Sequence, residues 1–436
     1  MSRRTRTIAL QCATAIVAGA STLAACGDRS ADSGTPYGDI VGRVVPQIEE
    51  QLGLPFKTPP KIETRSREEV KQFVMQQLSS ERGRTQIQGQ QSIYRILGLI
   101  PDTMNLGGLL QRLLEEQIIG YYDPATKVLY VVEGAPKAML DQTVAHELVH
   151  ALQDQYVALD SIQKTTDNAD RQTAAQSILE GQAVFQQLRL DPNIGPMLKM
   201  PGGWDRIRDA MREEQTGMPI FSSAPRAVRE GLLFPYLGGA DFVRRYIEKR
   251  PEKELLTDLP ISSKQILNDA AYFTPDKAAR DVPVSVTLPS PLTGTVTYSN
   301  NFGEFETRLI LVQHIRDEPL ARRAASGIDG DRYAVVETPA GEALVWVSVW
   351  DSSVDAAEFL DVFGDAIRRR YEIGRQDIPA GTTSRTLDAP ATAQRGARRV
   401  SIELRQLGGR DVVIFVDAPA ATGTRLIDPA RITFGN

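Results

Sequence analysis

Apolar residues recur at helical spacing through most of the chain before residue 280. The spacing and its capping signals predict helices over 40–52, 67–114 with breaks at 98–101 and 107–108, 136–156, 169–190, 204–214, 224–249 and 262–269. Two β-branched and aromatic runs, Ile118–Tyr122 and Val128–Val132, flank a turn sequence and predict a β-hairpin just before the 136–156 helix. This region is therefore expected to be mainly helical.

The pattern becomes β-rich near residue 284. Strands are predicted at 284–288 and 295–298, and hairpins pair 333–337 with 343–350 and 400–404 with 412–416. Helices are predicted at 304–315 and 354–371. The predicted fold class is therefore α+β, with a mainly helical region at 61–283 and a smaller α/β region at 284–436 whose role the sequence does not indicate.

The first residues have the composition of an export signal. Arg3, Arg4 and Arg6 precede an uncharged stretch, Thr7–Ala25, which a signal peptide or a transmembrane anchor could contain. Its many Ala, Thr, Ser and Gly residues would insert poorly into a bilayer, which favours the signal peptide. The segment Leu-Ala-Ala-Cys that ends at Cys26 resembles the lipobox of bacterial lipoproteins.

That resemblance implies a signal peptide at 1–25, cleavage before Cys26, and a lipid on the Cys26 sulfur. Residues 26–60 would then be a tether with one short helix, and the protein would be held by its lipid on the outer face of a membrane of the bacterial cell envelope.

Composition excludes several classes of function. The 436-residue chain has a net charge of −5 and a pI of about 5.5, so it has no basic field for nucleic acid. Its two cysteines are Cys12, within the signal, and Cys26. The mature chain thus has no free thiolate, and a metal site must use histidines and carboxylates.

Two of the three histidines lie in the segment His146-Glu147-Leu148-Val149-His150. Histidines four apart on a helix project from one face and can share a Zn²⁺ ion, while the Glu beside the first can reach a metal-bound water. The alternative is a pair of solvated histidines on an amphipathic helix. The apolar residues around them favour the metal site.

The third ligand could be His314, an Asp or a Glu. Glu180 is the only charged side chain between residues 173 and 188, and a carboxylate on a helix that is otherwise buried needs a cation or hydrogen bonds. Glu180 is therefore preferred, although it could point to water. Asp154, four residues after His150, could accept the N–H of a ligating imidazole, as could Gln153 or Gln155, or it could be a surface charge. His314 is expected to be structural.

Taken together, these residues resemble the gluzincin branch of zinc metallopeptidases. The match runs through His146, Glu147, His150, Asp154 and Glu180, and the segments HELVHALQDQ and LEGQA also resemble those of certain bacterial envelope proteins. The resemblance implies a zincin-like fold, zinc as cofactor, Glu147 as general base and then acid, and a peptide or protein substrate bound along the hairpin.

The match has departures. The family has an Asp four residues after its third ligand, and Val184 occupies that position here. No oxyanion-stabilising motif can be identified. Tyr236 is a candidate donor to the transition state, with packing of a buried aromatic ring as the alternative, and Tyr156 is a weaker candidate. Two other functions stay open: a non-catalytic zincin-fold lipoprotein that binds or scaffolds a partner, and a hydrolase of a non-peptide or cell-wall amide.

Overall fold

The computed structural model describes residues 37–159, 162, 167–374, 379 and 381–435. The predicted signal peptide, Cys26 and the first part of the tether lie outside these described residues. Within them, no helix combines the length and the apolar composition needed to cross a membrane.

The α-helices of the described chain are mostly those that the apolar spacing predicts. They span Gly38–Leu52, Arg67–Ser79, Glu81–Ile96, Leu106–Gln117, Lys137–Gln153, Ala169–Leu190, Gly195–Leu198, Gly203–Gln215, Pro219–Ser223, Arg226–Ile247, Ser263–Leu267, Asp269–Tyr272, Gly303–Ile315, Glu318–Ala325 and Ser353–Arg370. Short 3₁₀ turns lie at Glu252–Thr257, Lys277–Ala279 and Pro429–Arg431. Three helices build the site, and we call Lys137–Gln153 the motif helix, Ala169–Leu190 the Glu180 helix and Arg226–Ile247 the Tyr236 helix.

One predicted break is wrong. Gly107 and Gly108 lie inside the Leu106–Gln117 helix, because the Asn105 side chain caps its first turn and accepts the Gly108 N–H at 3.0 Å. The predicted 262–269 helix is divided between Ser263–Leu267 and Asp269–Tyr272.

Two main sheets follow the predicted hairpins. A three-stranded sheet has the order β1-β3-β2, where β2 is Gly120–Asp123, β3 is Val128–Val132 and β1 is Lys61–Arg65. The β2–β3 hairpin is confirmed, whereas β1, which runs parallel to β3, was not predicted. Because β2 is an edge strand, one side of its backbone faces away from the sheet.

A six-stranded antiparallel sheet forms the C-terminal region and confirms both predicted hairpins there. Its order is β5-β6-β7-β10-β9-β8, with strands Thr295–Asn300, Ile328–Thr338, Gly341–Trp350, Arg410–Pro419, Arg398–Leu407 and Ser384–Ala389. Ser285–Thr287 (β4) and Thr433–Gly435 (β11) pair separately. Alternate residues face opposite sides, so Leu344 and Trp346 pack under the helices while Val345 and Val347 pack on the other face.

The helical and β-rich regions share a continuous hydrophobic core. One cluster of buried side chains extends from Ile93 and Phe234 to Trp346 and Phe415. The rings of Phe234 and Phe305 stack across the boundary, with 3.8 Å between centroids. The observed class is α+β, as predicted, and the C-terminal region packs directly against the helices that carry the site.

The Gly38–Leu52 helix, expected between tether and helical region, packs on the motif helix through Val44, Ile48 and Leu52. Arg43 and Asp141 add an exposed ion pair at 2.8 Å. This helix is therefore part of the core around the site.

Candidate metal centre

Apolar residues of the motif helix hold it between the β2–β3 hairpin and the neighbouring helices. Val144, Leu148, Val149 and Leu152 are fully buried in a cluster shared with the hairpin, the Glu180 helix and the Gly38–Leu52 helix. A helix buried on most of its surface is fixed in rotation, because turning it would expose this apolar area. The directions in which His146, Glu147 and His150 point are fixed with it.

Glu180 lies on a helix whose residues from Ser177 to Leu188 are all buried. Gly181 sets the position of this helix: a Cβ there would overlap the backbone of Gly239 on the Tyr236 helix, and a Cβ on Gly239 would overlap the Ser177 carbonyl. The close helix crossing is with the Tyr236 helix, and it directs Glu180 toward the histidines.

Three potential ligand atoms form a small triangle. His146 Nε2 lies 3.2 Å from His150 Nε2 and 3.3 Å from Glu180 Oε2, and His150 Nε2 lies 3.4 Å from the same oxygen. Atoms bound to one tetrahedral Zn²⁺ at roughly 2.0–2.1 Å would lie about 3.3–3.4 Å apart. The two nitrogens and one oxygen therefore fit zinc in donor type, number and spacing.

The other ring nitrogen of each histidine is bonded to a glutamine. His150 Nδ1 lies 2.9 Å from Gln153 Oε1, and His146 Nδ1 lies 3.3 Å from Gln187 Oε1. The Gln153 amide nitrogen donates to the Leu179 carbonyl at 3.0 Å, so its oxygen must face His150. In the neutral ring, Nδ1 of His150 therefore carries the proton and donates it to Gln153, which leaves the Nε2 lone pair for a metal.

The structure places Asp154 away from both imidazoles. Its carboxylate accepts the Tyr122 hydroxyl at 2.8 Å and the Lys127 ammonium at 2.6 Å. Gln153, considered as an alternative, and Gln187, which the sequence did not single out, hold the rings instead. Gln187 lies three residues after Val184, the position where the family resemblance would place an Asp. Val184 itself is buried among apolar side chains.

Glu147 faces the same space from one residue along the motif helix. It is 3% exposed, and its Oε2 accepts the backbone N–H of Tyr122, in β2, at 2.8 Å. Burial raises the pKa of Glu147, while the nearby His150 and His146 act in the opposite direction. A carboxylate with a raised pKa, held by one backbone donor, is suited to accept a proton.

The charges of the triangle stabilise one another. Burial would raise the pKa of Glu180, but His150 and His146 outweigh it and hold that pKa at about 2. Burial would lower the pKa of His150, but Glu180 and Glu147 outweigh it and raise the pKa to about 9. Glu180 is therefore ionised at neutral pH, as a metal-binding carboxylate must be.

Tyr236 is fully buried, and its ring lies 6.3 Å from that of His146, with 23° between the planes. Gly231, Leu232 and Pro235 of the same helix line the cleft, and Tyr236 does not. The structure thus favours the packing alternative over the predicted transition-state donor. His314, expected to be structural, bonds to the Leu97 carbonyl at 2.7 Å, far along the chain from the motif.

A second acidic group in the described chain, Asp281, Asp329 and Asp351, already holds a cation of the protein. The Lys264 ammonium lies 2.6 Å from Asp281 and 2.8 Å from Asp351. This group is therefore an ion-pair network around Lys264.

A cleft of about 320 Å³ opens beside the triangle. Glu147, His150 and Glu180 line one side, together with Tyr121, Tyr122 and Pro124 of the hairpin. Much of the remaining lining, which we call the far side, comes from the Glu81–Ile96 helix and from the C-terminal region, including Tyr298, Phe305, Glu306 and Tyr333. No sequence pattern predicts this far side, because its residues come together only in the folded chain.

Residues 292–427 match a family model described as a domain of unknown function (DUF8575). The matched part includes the six-stranded sheet and the C-terminal residues that line the cleft, and it ends before β11. The Glu81–Ile96 helix, the motif helix and the Glu180 helix lie outside it. No curated protein and no solved structure matches the chain.

Proposed function

We propose that this protein is a zinc-dependent hydrolase, a peptidase of the gluzincin type, with a zincin-like arrangement of hairpin, motif helix and Glu180 helix. The observation that carries the proposal is the triangle of His146 Nε2, His150 Nε2 and Glu180 Oε2, with separations of 3.2–3.4 Å, beside the buried Glu147 in one cleft. A merely structural zinc site has four protein ligands and needs no such glutamate.

His146, His150 and Glu180 would hold the metal. When bound, zinc polarises the scissile carbonyl and lowers the pKa of a water to about 7. Gln153 and Gln187 keep the imidazole rings in orientation through their Nδ1 atoms. Glu147 is positioned to take a proton from the attacking water and to return it to the leaving amine nitrogen.

A peptide substrate is supported by the edge strand beside the site. β2 has a partner on one side only, and Tyr121 and Tyr122 on it line the cleft. An extended peptide can align along such an edge and place a carbonyl near Glu147.

The test compares the wild-type protein with three variants. Glu147→Gln is expected to keep stoichiometric zinc and to lose peptide hydrolysis by about 10²–10⁴-fold, because it removes the base without removing a ligand. Glu180→Ala is expected to lose zinc. Glu133→Gln changes an exposed carboxylate after the hairpin and should match the wild type in both measurements.

Full activity in Glu147→Gln would refute the mechanism, and wild-type zinc affinity in Glu180→Ala would refute the ligand assignment. Stoichiometric zinc with cleavage of isolated cell wall, but of no protein or peptide, would favour the cell-wall hydrolase.

We also propose that Cys26 carries a lipid that holds the protein on the outer face of a membrane of the cell envelope. The proposal is supported by the sequence Leu23-Ala24-Ala25-Cys26 after an uncharged stretch.

A further inference from the structure

The far side of the cleft holds an acidic side chain that the proposed chemistry does not use. Glu306 lies on the Gly303–Ile315 helix and lines the same cleft as Glu147 and Glu180. One of its oxygens accepts the Tyr94 hydroxyl at 3.0 Å. The side chain is therefore held in place, half-buried, in the same cleft as the candidate metal centre.

Three tyrosines surround this carboxylate. Tyr94, Tyr298 and Tyr333 all line the cleft, and the rings of Tyr298 and Tyr333 have centroids 6.3 Å apart. Burial is the main cause that raises the pKa of each, and the charge of Glu306 adds to it in all three. Phe302 and Phe305 give the same wall an apolar lining.

The protein itself supplies no positive partner to Glu306. Among the described residues, no Lys or Arg forms an ion pair with it, and the charges that act on it are those of Asp331 and Asp170, which have the same sign. A half-buried carboxylate whose nearest charges have the same sign is destabilised as an anion unless a cation approaches it. Arg82 is the one guanidinium among the described residues that line the cleft, against the three carboxylates of Glu147, Glu180 and Glu306.

We infer that Glu306 and its three tyrosines form a subsite for a basic side chain, so that the substrates are peptides or proteins with Lys or Arg at one fixed position from the scissile bond. Calling these peptides substrates rests on the proposed function. An ammonium or guanidinium group gains a charge-assisted hydrogen bond from the carboxylate and a cation–π contact from Tyr298, the half-buried ring of the three. Its methylene stem would lie along Phe305, which is also half-buried.

The alternative is that Glu306 stays protonated and is part of a neutral hydrogen-bonded wall. Glu306→Gln separates the two, because a glutamine has the shape of the protonated acid but cannot become an anion. A neutral wall predicts unchanged specificity in this variant, whereas a cation subsite predicts that the preference for basic residues disappears.

The experiment uses the zinc-loaded mature protein with a mixture of denatured bacterial proteins, and the new termini are sequenced. Lys and Arg should be enriched at one position from the cut. In synthetic peptides built on the preferred site, replacing Lys by norleucine, which has the same stem without the ammonium, should lower kcat/KM at least 10-fold. Glu306→Gln should remove this difference while leaving zinc content and cleavage of the norleucine peptide within 3-fold of wild type.

Glu318→Gln is the matched control, since this exposed glutamate of the next helix pairs with Arg226 outside the cleft. It should retain the wild-type preference. Equal enrichment of basic residues in wild type and Glu306→Gln, or enrichment of another residue class, would overturn the inference.

A binding measurement keeps the inference separate from the proposed function. Calorimetry measures the affinity of the Lys and norleucine forms of one unstructured peptide set. It is applied to Glu147→Gln and to the double variant Glu147→Gln/Glu306→Gln, so that binding at the subsite is measured without hydrolysis. Tighter binding of Lys peptides that Glu306→Gln abolishes supports the subsite even if the wild type cleaves nothing, in which case only the peptidase proposal fails. Equal binding of both peptide forms overturns the subsite.

Discussion

Gly181 and Gly239 meet backbone to backbone where the Glu180 helix crosses the Tyr236 helix, and neither position has room for a Cβ. The residue next to Gly181 is the carboxylate that completes the triangle. The shape of this crossing therefore decides whether Glu180 reaches the histidines.

Gly181→Ala is expected to destabilise the protein and to weaken zinc binding. A methyl group at the crossing forces the helices apart, which costs about 1–3 kcal/mol for overpacking. The shift moves Glu180, so zinc affinity should fall at least 10-fold. Urea unfolding with and without a chelator measures the first effect, and zinc titration measures the second.

The control is Gly42→Ala, at a helix position where an added Cβ would have no atom within 4 Å. Alanine there should stabilise the protein by about 0.5–1 kcal/mol through helix propensity. If Gly181→Ala had wild-type stability and zinc affinity, the crossing would not position Glu180.

Gln187→Met should lower zinc affinity by about 10–100-fold, because His146 loses the acceptor that orients its ring. Asp154→Asn should leave zinc affinity within 3-fold of wild type, since Asp154 bonds to Tyr122 and Lys127 instead. Competition with a chromophoric chelator gives both affinities. A larger effect for Asp154→Asn than for Gln187→Met would contradict the hydrogen bonds in the structure.

Glu306 should make the stability of the fold depend on pH. Burial, and then the charges of Asp331 and Asp170, raise its pKa to about 7, although the Tyr94 hydrogen bond opposes this. The folded state thus binds a proton more tightly than the unfolded state, in which the pKa is about 4.5. The contribution of this group to the free energy of unfolding is therefore present at low pH, and it is lost as the pH rises from about 4.5 to 7.

Glu306→Gln should therefore be more stable than wild type at pH 8 by about 1–2 kcal/mol, with little difference at pH 5. The magnitude is reduced from the full shift because water in the cleft screens the charge. Urea unfolding of metal-free protein at pH 5, 6, 7 and 8 checks this. Burial also raises the pKa of Asp170, on the Glu180 helix, to about 7 and that of Asp331, in β6, to about 6. Both aspartates are present in the variant, so the informative quantity is the difference in stability between wild type and variant at each pH.

Cys26→Ser should abolish lipid labelling and release the protein from the membrane fraction, whereas Cys12→Ser should change neither. Metabolic labelling with a radioactive fatty acid in a bacterial host, followed by fractionation, checks both variants. Lipid label that persists in Cys26→Ser would exclude the proposed anchor.

The sequence predicted the site best where reactive side chains are spaced with the period of a single helix. His146, Glu147 and His150 share one helix, so their relative positions follow from its geometry alone. Glu180 was detectable because a lone charge on an apolar helix requires a partner. The geometry now brings these four side chains together, while the metal and the reaction stay predictions.

Features that depend on how elements cross could not be derived in this way. Gln153 and Asp154 are neighbours in sequence, yet only one faces His150, because about 100° of helix rotation separates successive residues. The polar strand β1 has no alternation that predicts it, and it exists because β3 offers an edge to pair with. The three tyrosines around Glu306 come from two different regions of the chain, so no local pattern marks them.

The lining of the cleft is divided between separate stretches of chain: the candidate ligands lie on the motif helix and the Glu180 helix, whereas Tyr298, Phe305, Glu306 and Tyr333 lie within residues 292–427. Sequence drift in the second stretch can reshape what the cleft admits without disturbing the atoms that would hold a metal. Proteins that descend from one gene can therefore come to differ in the substrates they admit while they keep the same chemistry.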